Sequence, residues 1–485
     1  MSNKLNNNEL KAIGIKDEAL LEVAGRLAKS LIKNKTYTKE ALLAFYKELL
    51  KNPDSYTSNE LFAELAEEVK SRASLFKKSQ AIVQTFELRT NTLAYPIYGT
   101  EHISDDAKHQ MNAAMQLPVA VAGALMPDAH SGYGLPIGGV LATEPNIIIP
   151  YAVGVDIACR MCLSVFDVNA IFLDQKTKLL KQHLLDHTYF GLDGENRDQL
   201  SDTIFDLPEW KSTAQIRQLR YKAEKQLGTS GTGNHFVEWG ILDITEQTPE
   251  LKLPKGKYLA LLSHSGSRGF GANIATHYSK IAAEQTKLPR EAQHLAWLDL
   301  NTEEGQEYWI GMNLAGDYAS ACHHQIHRRL AQAIGSKPVA MIENHHNFAW
   351  KETLADGREV MVHRKGATPA GKGVMGIIPG SMTQPGFVVR GKGDSSSICS
   401  ASHGAGRLLS RSKALKTITR PELKQVLADK GVTLIGGDLD EAPMVYKDIN
   451  QVMSYQNDLV EVLARFTPKI VRMADPDKRT KGWEG

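Results

Sequence analysis

One large mixed α/β unit behind a helical N-terminal segment is the fold class that the sequence predicts, and three observations predict it. The stretches DEALLEVAGRLAKSLI and SNELFAELAEEVKSRASLF space apolar residues at helical intervals. From about residue 90 the texture changes to short apolar runs between Gly-rich turns. No fixed-period repeat runs through the 485 residues, which argues against a solenoid or a regular barrel.

Taken in order, residues 13–90 read as helical, with Ser58 ahead of Glu60 and Leu61 as a cap region. This stretch gathers no catalytic residue types, so residues 1–90 are expected to form an extension or accessory layer, and residues 91–485 the catalytic domain. MPDAHSGYGLPIGGVLAT and NIIIPYAVGVDIACRMCLSVF read as strands joined by tight loops. Segments 173–228 and 271–335 return to helical spacing. Strand-like runs recur at YLALLSH, PVAMIENHHNFAWKE, VMGIIPG, GFVVRG and VTLIGG.

Composition is ordinary for a globular protein, with 42% hydrophobic and 23% charged residues. No apolar run reaches membrane-span length, and MSNKLNNNELKAIG has no apolar core, so a soluble, cytoplasmic chain without a membrane partner is expected. Four cysteines do not describe a disulfide framework. Cys159 and Cys162 have CxxC spacing, which admits a redox or zinc site, but no second close pair completes a four-cysteine site. Net charge is only +2, yet residues 361–420 hold ten Lys or Arg against the single acid Asp394. Such a segment suits a polyanion, or else a solvated basic face.

Histidines occur in polar, glycine-bearing loops at the ends of apolar runs: His130 in MPDAH, His235 in GTGNHFVE, His264 in LLSHSGSRG, His345 and His346 in IENHHNFAWKE, His363 in VHRKGAT and His403 in ASHGAGR. That placement resembles active-site loops on a rigid scaffold. With Asp156 and Cys159 they offer a carboxylate, a thiolate and imidazoles, a donor set for Zn²⁺, Mn²⁺ or Fe²⁺. The bland alternative is a scatter of core and surface histidines. HSGSRGFG, GATPAGKG, IIPGSM and SHGAGR supply backbone N–H groups and cations for phosphate. None is a Walker A motif, GYGLPIGG is a weak dinucleotide fingerprint, and HSGSRG is not a nucleophile elbow.

Together these motifs are specific. MPDAHSGYGLPIGG, GVDIACRM, GTGNHFVE, SHSGSRGFG, HHNFAWKE, VHRKGAT, PGSM, SHGAGR and the late KG at Lys481–Gly482 resemble, in order and over residues 95–482, the RtcB family of RNA-splicing ligases. The resemblance implies a single-domain α+β fold peculiar to that family. It also implies a GTP- and Mn²⁺-dependent enzyme that joins RNA 2′,3′-cyclic phosphate or 3′-phosphate ends to 5′-hydroxyl ends. RNA would be the substrate, in tRNA splicing or repair, with an archease-like activating protein as a partner.

Carried onto this sequence, the resemblance makes Asp156, Cys159 and His235 ligands of one Mn²⁺, and Cys159, His264 and His346 ligands of a second. Cys162 is expected in the core and His345 beside the site. His403 would be the nucleophile that takes GMP from GTP, with Asp128 orienting His403 or the metal site. Asn234, Glu238, Ser381, Tyr446, Lys481 and the run Gly404, Ala405, Gly406, Arg407 would bind the nucleotide. Arg268 and Arg411 would contact RNA phosphates. Two departures touch nucleotide recognition: Gly386 and Phe387 stand where the family carries Ser and Tyr, and RMADPDKRTKGWEG replaces an apolar strand before the terminal KG. A metal-dependent phosphohydrolase and a non-ligating RNA-binding homologue are the competing classes.

Overall fold

Apolar side chains at helical spacing build the first of two units, residues 1–82; the second comprises residues 83–485. The structure is a computed structural model that describes residues 5–476 other than 14, 16–17, 35, 58, 60, 77–82 and 198–199. The expected cap at Ser58 and Glu60 therefore lies outside the described residues, as does Lys481.

In the first unit, helices α1 (Glu18–Lys33), α2 (Lys39–Lys51) and α3 (Ala63–Phe76) share one core. Leu21, Ala24, Ala28 and Leu31 meet Leu42, Tyr46 and Leu49 and, from α3, Leu65 and Val69. Each buried leucine stabilises the packing by about 1.5–3 kcal/mol. The Thr38 hydroxyl accepts the Ala41 N–H and caps α2, a contact worth about 1 kcal/mol.

The helical reading fails for residues 83–90. Gln84–Thr85 form a parallel ladder with Thr286–Lys287, and Phe86 packs on Trp297 with ring centroids 4.7 Å apart. A short extended segment is favoured because its apolar residues already meet a partner in the second unit.

That unit is α+β, built mainly on two sheets. The strands used below are β1 (Ala120–His130), β2 (Ile137–Thr143), β3 (Arg160–Asn169), β4 (Phe236–Ile244), β5 (Gly256–Ser265), β6 (Pro338–His345), β7 (Asn347–Thr353), β8 (Glu359–Lys365), β9 (Met375–Ile378), β10 (Gly386–Gly391), β11 (Thr433–Ile435) and β12 (Val460–Met473). The larger sheet runs β6-β3-β5-β4-β12-β10-β9, with β11 added parallel to β12; the smaller runs β7-β8-β2-β1. The edges of the larger sheet are clasped by one side chain. Asn344 on β6 accepts the Ile377 N–H at 2.9 Å.

PVAMIENHHNFAWKE is two strands, and the chain leaves the larger sheet for the smaller one at His346. This break frees the His346 side chain from either ladder. Alternation along β5 gives the larger sheet two distinct faces. His264 lies on one, while Ser263 and Ser265 lie on the other. Helices α4 (Arg268–Gln285) and α5 (Glu303–Ala333) follow. Ile326 and Leu330 of α5 pack on Trp239, Leu259 and Leu261, leaving the His264 face for chemistry.

The basic segment 361–420 looks different in space. Arg364 pairs with Glu352, Arg390 with Glu250, Arg407 with Glu441, Arg411 with Asp440 and Arg420 with Asp438. Half of the ten cations thus meet acids from outside the segment, and the linear excess does not translate into an equal surface excess. No helix among the described residues is long and apolar enough to cross a membrane.

Candidate metal and nucleotide centre

The Asp156–Cys159 loop precedes β3 and is laced to the break between β6 and β7. Ala158 N–H donates to the Asn347 carbonyl at 2.7 Å, and His346 N–H to the Cys159 carbonyl at 3.0 Å. The Asn347 side chain donates to the Asp156 carbonyl at 3.2 Å and accepts the Gly366 N–H at 2.8 Å. Ala158 holds a left-handed φ of 56°, a strain that this lacing supports.

The loops bring five side chains together. Cys159 Sγ lies 3.3 Å from His235 Nε2 and 3.1 Å from His264 Nε2. His264 Nε2 is 3.2 Å from His346 Nε2, and His235 Nε2 is 2.9 Å from Asp156 Oδ2. These form two potential metal-holding groups, Asp156–Cys159–His235 and Cys159–His264–His346, with Cys159 common to both. Two glycines make room: a Cβ at Gly266 would overlap the Asp156 carboxylate, and one at Gly231 the His235 ring. His345 turns away and stacks on Trp350, with centroids 5.1 Å apart.

Electrostatics suit a cation. Burial, with the charge of His235, pushes His264 down to about 3, so it is a neutral imidazole. Its Nδ1–H donates to the Asn234 carbonyl at 3.1 Å, which leaves the Nε2 lone pair facing Cys159 and His346. Burial also holds His346 well below its usual value. Burial raises the Asp156 carboxyl, but the His235 hydrogen bond and charge outweigh it and the net shift is downward. Burial and Asp156 raise the Cys159 thiol; a cation at sulfur reverses that preference. His235 Nδ1 and His346 Nδ1 are buried without hydrogen-bond partners. A converging thiol, carboxylate and three imidazoles fit a divalent metal ion better than a hydrogen-bonded core.

His403 stands beside this group, its ring centroid 4.8 Å from that of His346. Asp128 is fully buried, and its Oδ2 lies 2.6 Å from His403 Nδ1 while accepting the backbone N–H of His403 at 3.1 Å and of Gly404 at 3.3 Å. Burial raises the Asp128 carboxyl, but the charge and hydrogen bond of His403 outweigh it and leave the net shift downward. An ionised carboxylate only accepts, so Nδ1 carries a proton, which in the neutral ring leaves the lone pair on Nε2. Gly406 has φ +73°, and a Cβ there would overlap the Asp128 carbonyl. Ala405 packs into the core.

A model of the family described as tRNA-splicing ligase RtcB matches residues 110–217 and 206–474. The chain belongs to the RtcB family. It is 34% identical over 391 residues to the RNA-splicing ligase RtcB of Escherichia coli, covering 74% of this chain and 92% of that protein. Against the tRNA-splicing ligase RtcB of Methanococcus maripaludis it is 29% identical over 426 residues, 74% of this chain and 89% of that one. An RNA-splicing ligase RtcB of Mycobacterium tuberculosis is 29% identical over 424 residues, 74% of this chain and 98% of that one.

The other positions singled out in this RtcB chain divide into near and occupied groups. Asn234 supplies its carbonyl to His264. Glu238 lies on β4 two residues beyond Phe236, which pairs across from His264; burial raises its carboxyl well above the usual range. Ser381 is buried with its hydroxyl unpartnered. Arg407 donates to the Asp440 carbonyl at 2.7 Å and lies 5.4 Å over the Tyr446 ring, whose hydroxyl donates to Glu441. Arg411 donates to Asp440 at 2.6 Å and also to Glu441, and it reaches Gly233 beside Asn234. Arg268 is buried, donating to Thr229 at 3.0 Å and to the Gly191 carbonyl. Phe387 is buried on β10, with Arg465 5.8 Å over its ring. His363 is structural: its Nε2 accepts the Ile149 N–H at 2.9 Å.

Sequence reasoning gave no role to Lys447, which sits under the Asp128 loop and donates to the carbonyls of Pro127 at 3.0 Å and Ala129 at 2.8 Å. An isolated lysine carries no signal for such a contact. Asp440 and Glu441 were missed likewise, although DLDE follows a Gly-Gly turn.

Proposed function

We propose that this chain is an RNA ligase that joins 2′,3′-cyclic phosphate or 3′-phosphate ends to 5′-hydroxyl ends, with GTP and two Mn²⁺ ions. The observation that carries the reading is one thiol, Cys159, common to two ligand sets, with an oriented imidazole, His403, one ring away. Asp156, Cys159 and His235 would hold one ion and Cys159, His264 and His346 the other. Bound Mn²⁺ supplies charge neutralisation for phosphate oxygens.

His403 Nε2 attacks the α-phosphorus of GTP, forming an N–P bond as the bond to the β-phosphate oxygen breaks and pyrophosphate leaves. Asp128 stabilises the imidazolium character that develops on the ring. An oxygen of the RNA 3′-phosphate then takes the GMP group from His403, which recovers its lone pair. The 5′-hydroxyl attacks the RNA phosphorus, loses its proton and expels GMP. A cyclic phosphate is first hydrolysed to the 3′-monophosphate. Asn234, Glu238, Ser381, Tyr446, Lys481 and Gly404–Arg407 are assigned to the nucleotide, and Arg268 and Arg411 to phosphates of nucleotide or RNA. Engagement of Arg407 or Arg411 requires exchange of an acid partner, Asp440 or Glu441, for phosphate. The helical unit ahead of residue 83 is assigned an accessory role, and the second unit the catalysis.

RNA with a 3′-phosphate and a labelled 5′-hydroxyl partner tests the reading. The expected product carries the 3′-end phosphate at its junction, and exchanging the ends to 3′-hydroxyl and 5′-phosphate abolishes it. Efficient joining of the exchanged ends overturns the proposal.

A further inference from the structure

A second cluster lies on the opposite face of β5 and belongs to neither ligand set above. Cys162 on β3 pairs directly across from Ser263 on β5. His323 and His327, four residues apart, present their rings from one face of α5. Cys162, His323 and His327 are all fully buried or nearly so, and one donor atom from each lies within 4.8 Å of the others.

We propose that Cys162, His323 and His327 hold a structural Zn²⁺ ion, separate from the catalytic centre. The ring nitrogens away from the cluster are already fixed. His323 Nε2 faces the Ser265 carbonyl at 3.2 Å, and His327 Nδ1 faces Ser164 Oγ at 2.7 Å. Metal-bound histidines characteristically use the second nitrogen in this way. His323 Nδ1 and His327 Nε2 remain for the ion, with Cys162 Sγ as the third donor. Ser263 Oγ, 2.6 Å from the first and 2.7 Å from the second, marks the fourth position.

Donors around tetrahedral zinc lie about 3.3–3.6 Å apart, so the three donors close in from within 4.8 Å of one another while the Ser263 hydroxyl moves back from the two ring nitrogens. One thiolate and two imidazoles, closed from solvent and away from the site of phosphate chemistry, match the closed tetrahedral sites that hold structural zinc. Burial raises the Cys162 thiol in the absence of a cation; metal binding releases that proton and gives the thiolate. Glu343, opposite Cys162 on β6 and paired with Arg160 at 3.0 Å, adds negative charge nearby. The ion joins α5 to β3, and through the Ser265 carbonyl it braces the strand that carries His264.

The competing arrangement needs no metal. Ser164 O–H donates to His327, His327 to Ser263, Ser263 to His323, and His323 to the Ser265 carbonyl, so every polar hydrogen is satisfied. Tag-free Cys159→Ser/His264→Ala protein, which lacks the thiol common to both catalytic sets and one of their imidazoles, separates the two. After dialysis against metal-free buffer it is expected to retain about one zinc per chain. Substitution with Co²⁺ should give a thiolate-to-metal charge-transfer band. Adding Cys162→Ser and His327→Gln should remove both zinc and band. A folded Cys159→Ser/His264→Ala protein with neither zinc nor a cobalt band overturns the site, as does zinc that survives loss of Cys162 and His327. If the fourfold variant does not fold, the cobalt band of the parent variant decides alone; if the parent does not fold, the single Cys159→Ser protein takes its place.

Discussion

Cys159→Ala is expected to lose both catalytic metal sites at once and to lower RNA joining by about 10³-fold or more, because it removes the atom common to both ligand sets. Removing a ligand from one set alone, as in His346→Ala, leaves Asp156, Cys159 and His235 able to hold an ion. Manganese content measured on folded protein distinguishes the two variants. A Cys159→Ala protein that keeps two manganese ions and full joining activity contradicts the shared-thiolate reading. Cys162→Ala, by contrast, is expected to act on stability and zinc content, with the catalytic ligands left in place.

Asp128→Asn carries the second large expected effect. The carboxylate holds His403 Nδ1 at 2.6 Å and so keeps the lone pair on Nε2. An asparagine can instead point its NH₂ at Nδ1, which stabilises the tautomer with its proton on Nε2 and blocks attack on phosphorus. The rate of GMP transfer to the enzyme is expected to fall about 10²–10⁴-fold, as when a triad carboxylate loses its charge. Metal content should stay unchanged, because Asp128 touches none of the metal-holding side chains. A single-turnover rate within about threefold of the parent protein removes Asp128 from the account.

The five clustered donors were legible through the resemblance of the motifs that carry them, and glycines in those motifs leave room for the side chains. Gly266 beside Asp156 and Gly231 beside His235 are the clearest cases. The choice of His346 over His345 follows from the strand break, which periodicity alone does not reveal: PVAMIENHHNFAWKE reads as a continuous apolar-polar run. Long-range pairing was the least legible feature. Arg407 and Arg411 look like free cations in SHGAGRLLSRSK, yet their acids lie some thirty residues onward at Asp440 and Glu441. The extended segment at 83–90 was hidden for the same reason, since its stabilising partners, Trp297 and Thr286–Lys287, are about 200 residues away. Cys162 is buried, as expected of a core thiol, but its two histidine neighbours were hidden because the helix supplying them begins more than 140 residues later.

The central claim is that His403 becomes covalently guanylylated at this metal centre. Folded protein charged with Mn²⁺ and incubated with GTP labelled at the α-phosphate tests it directly, when the chain is digested under alkaline conditions and the labelled peptide sequenced. Acid-labile label is expected on the peptide containing His403, and none on His403→Ala protein of normal metal content. Label on any other residue, or joining of RNA by the His403→Ala protein from a 3′-phosphate end, would contradict it.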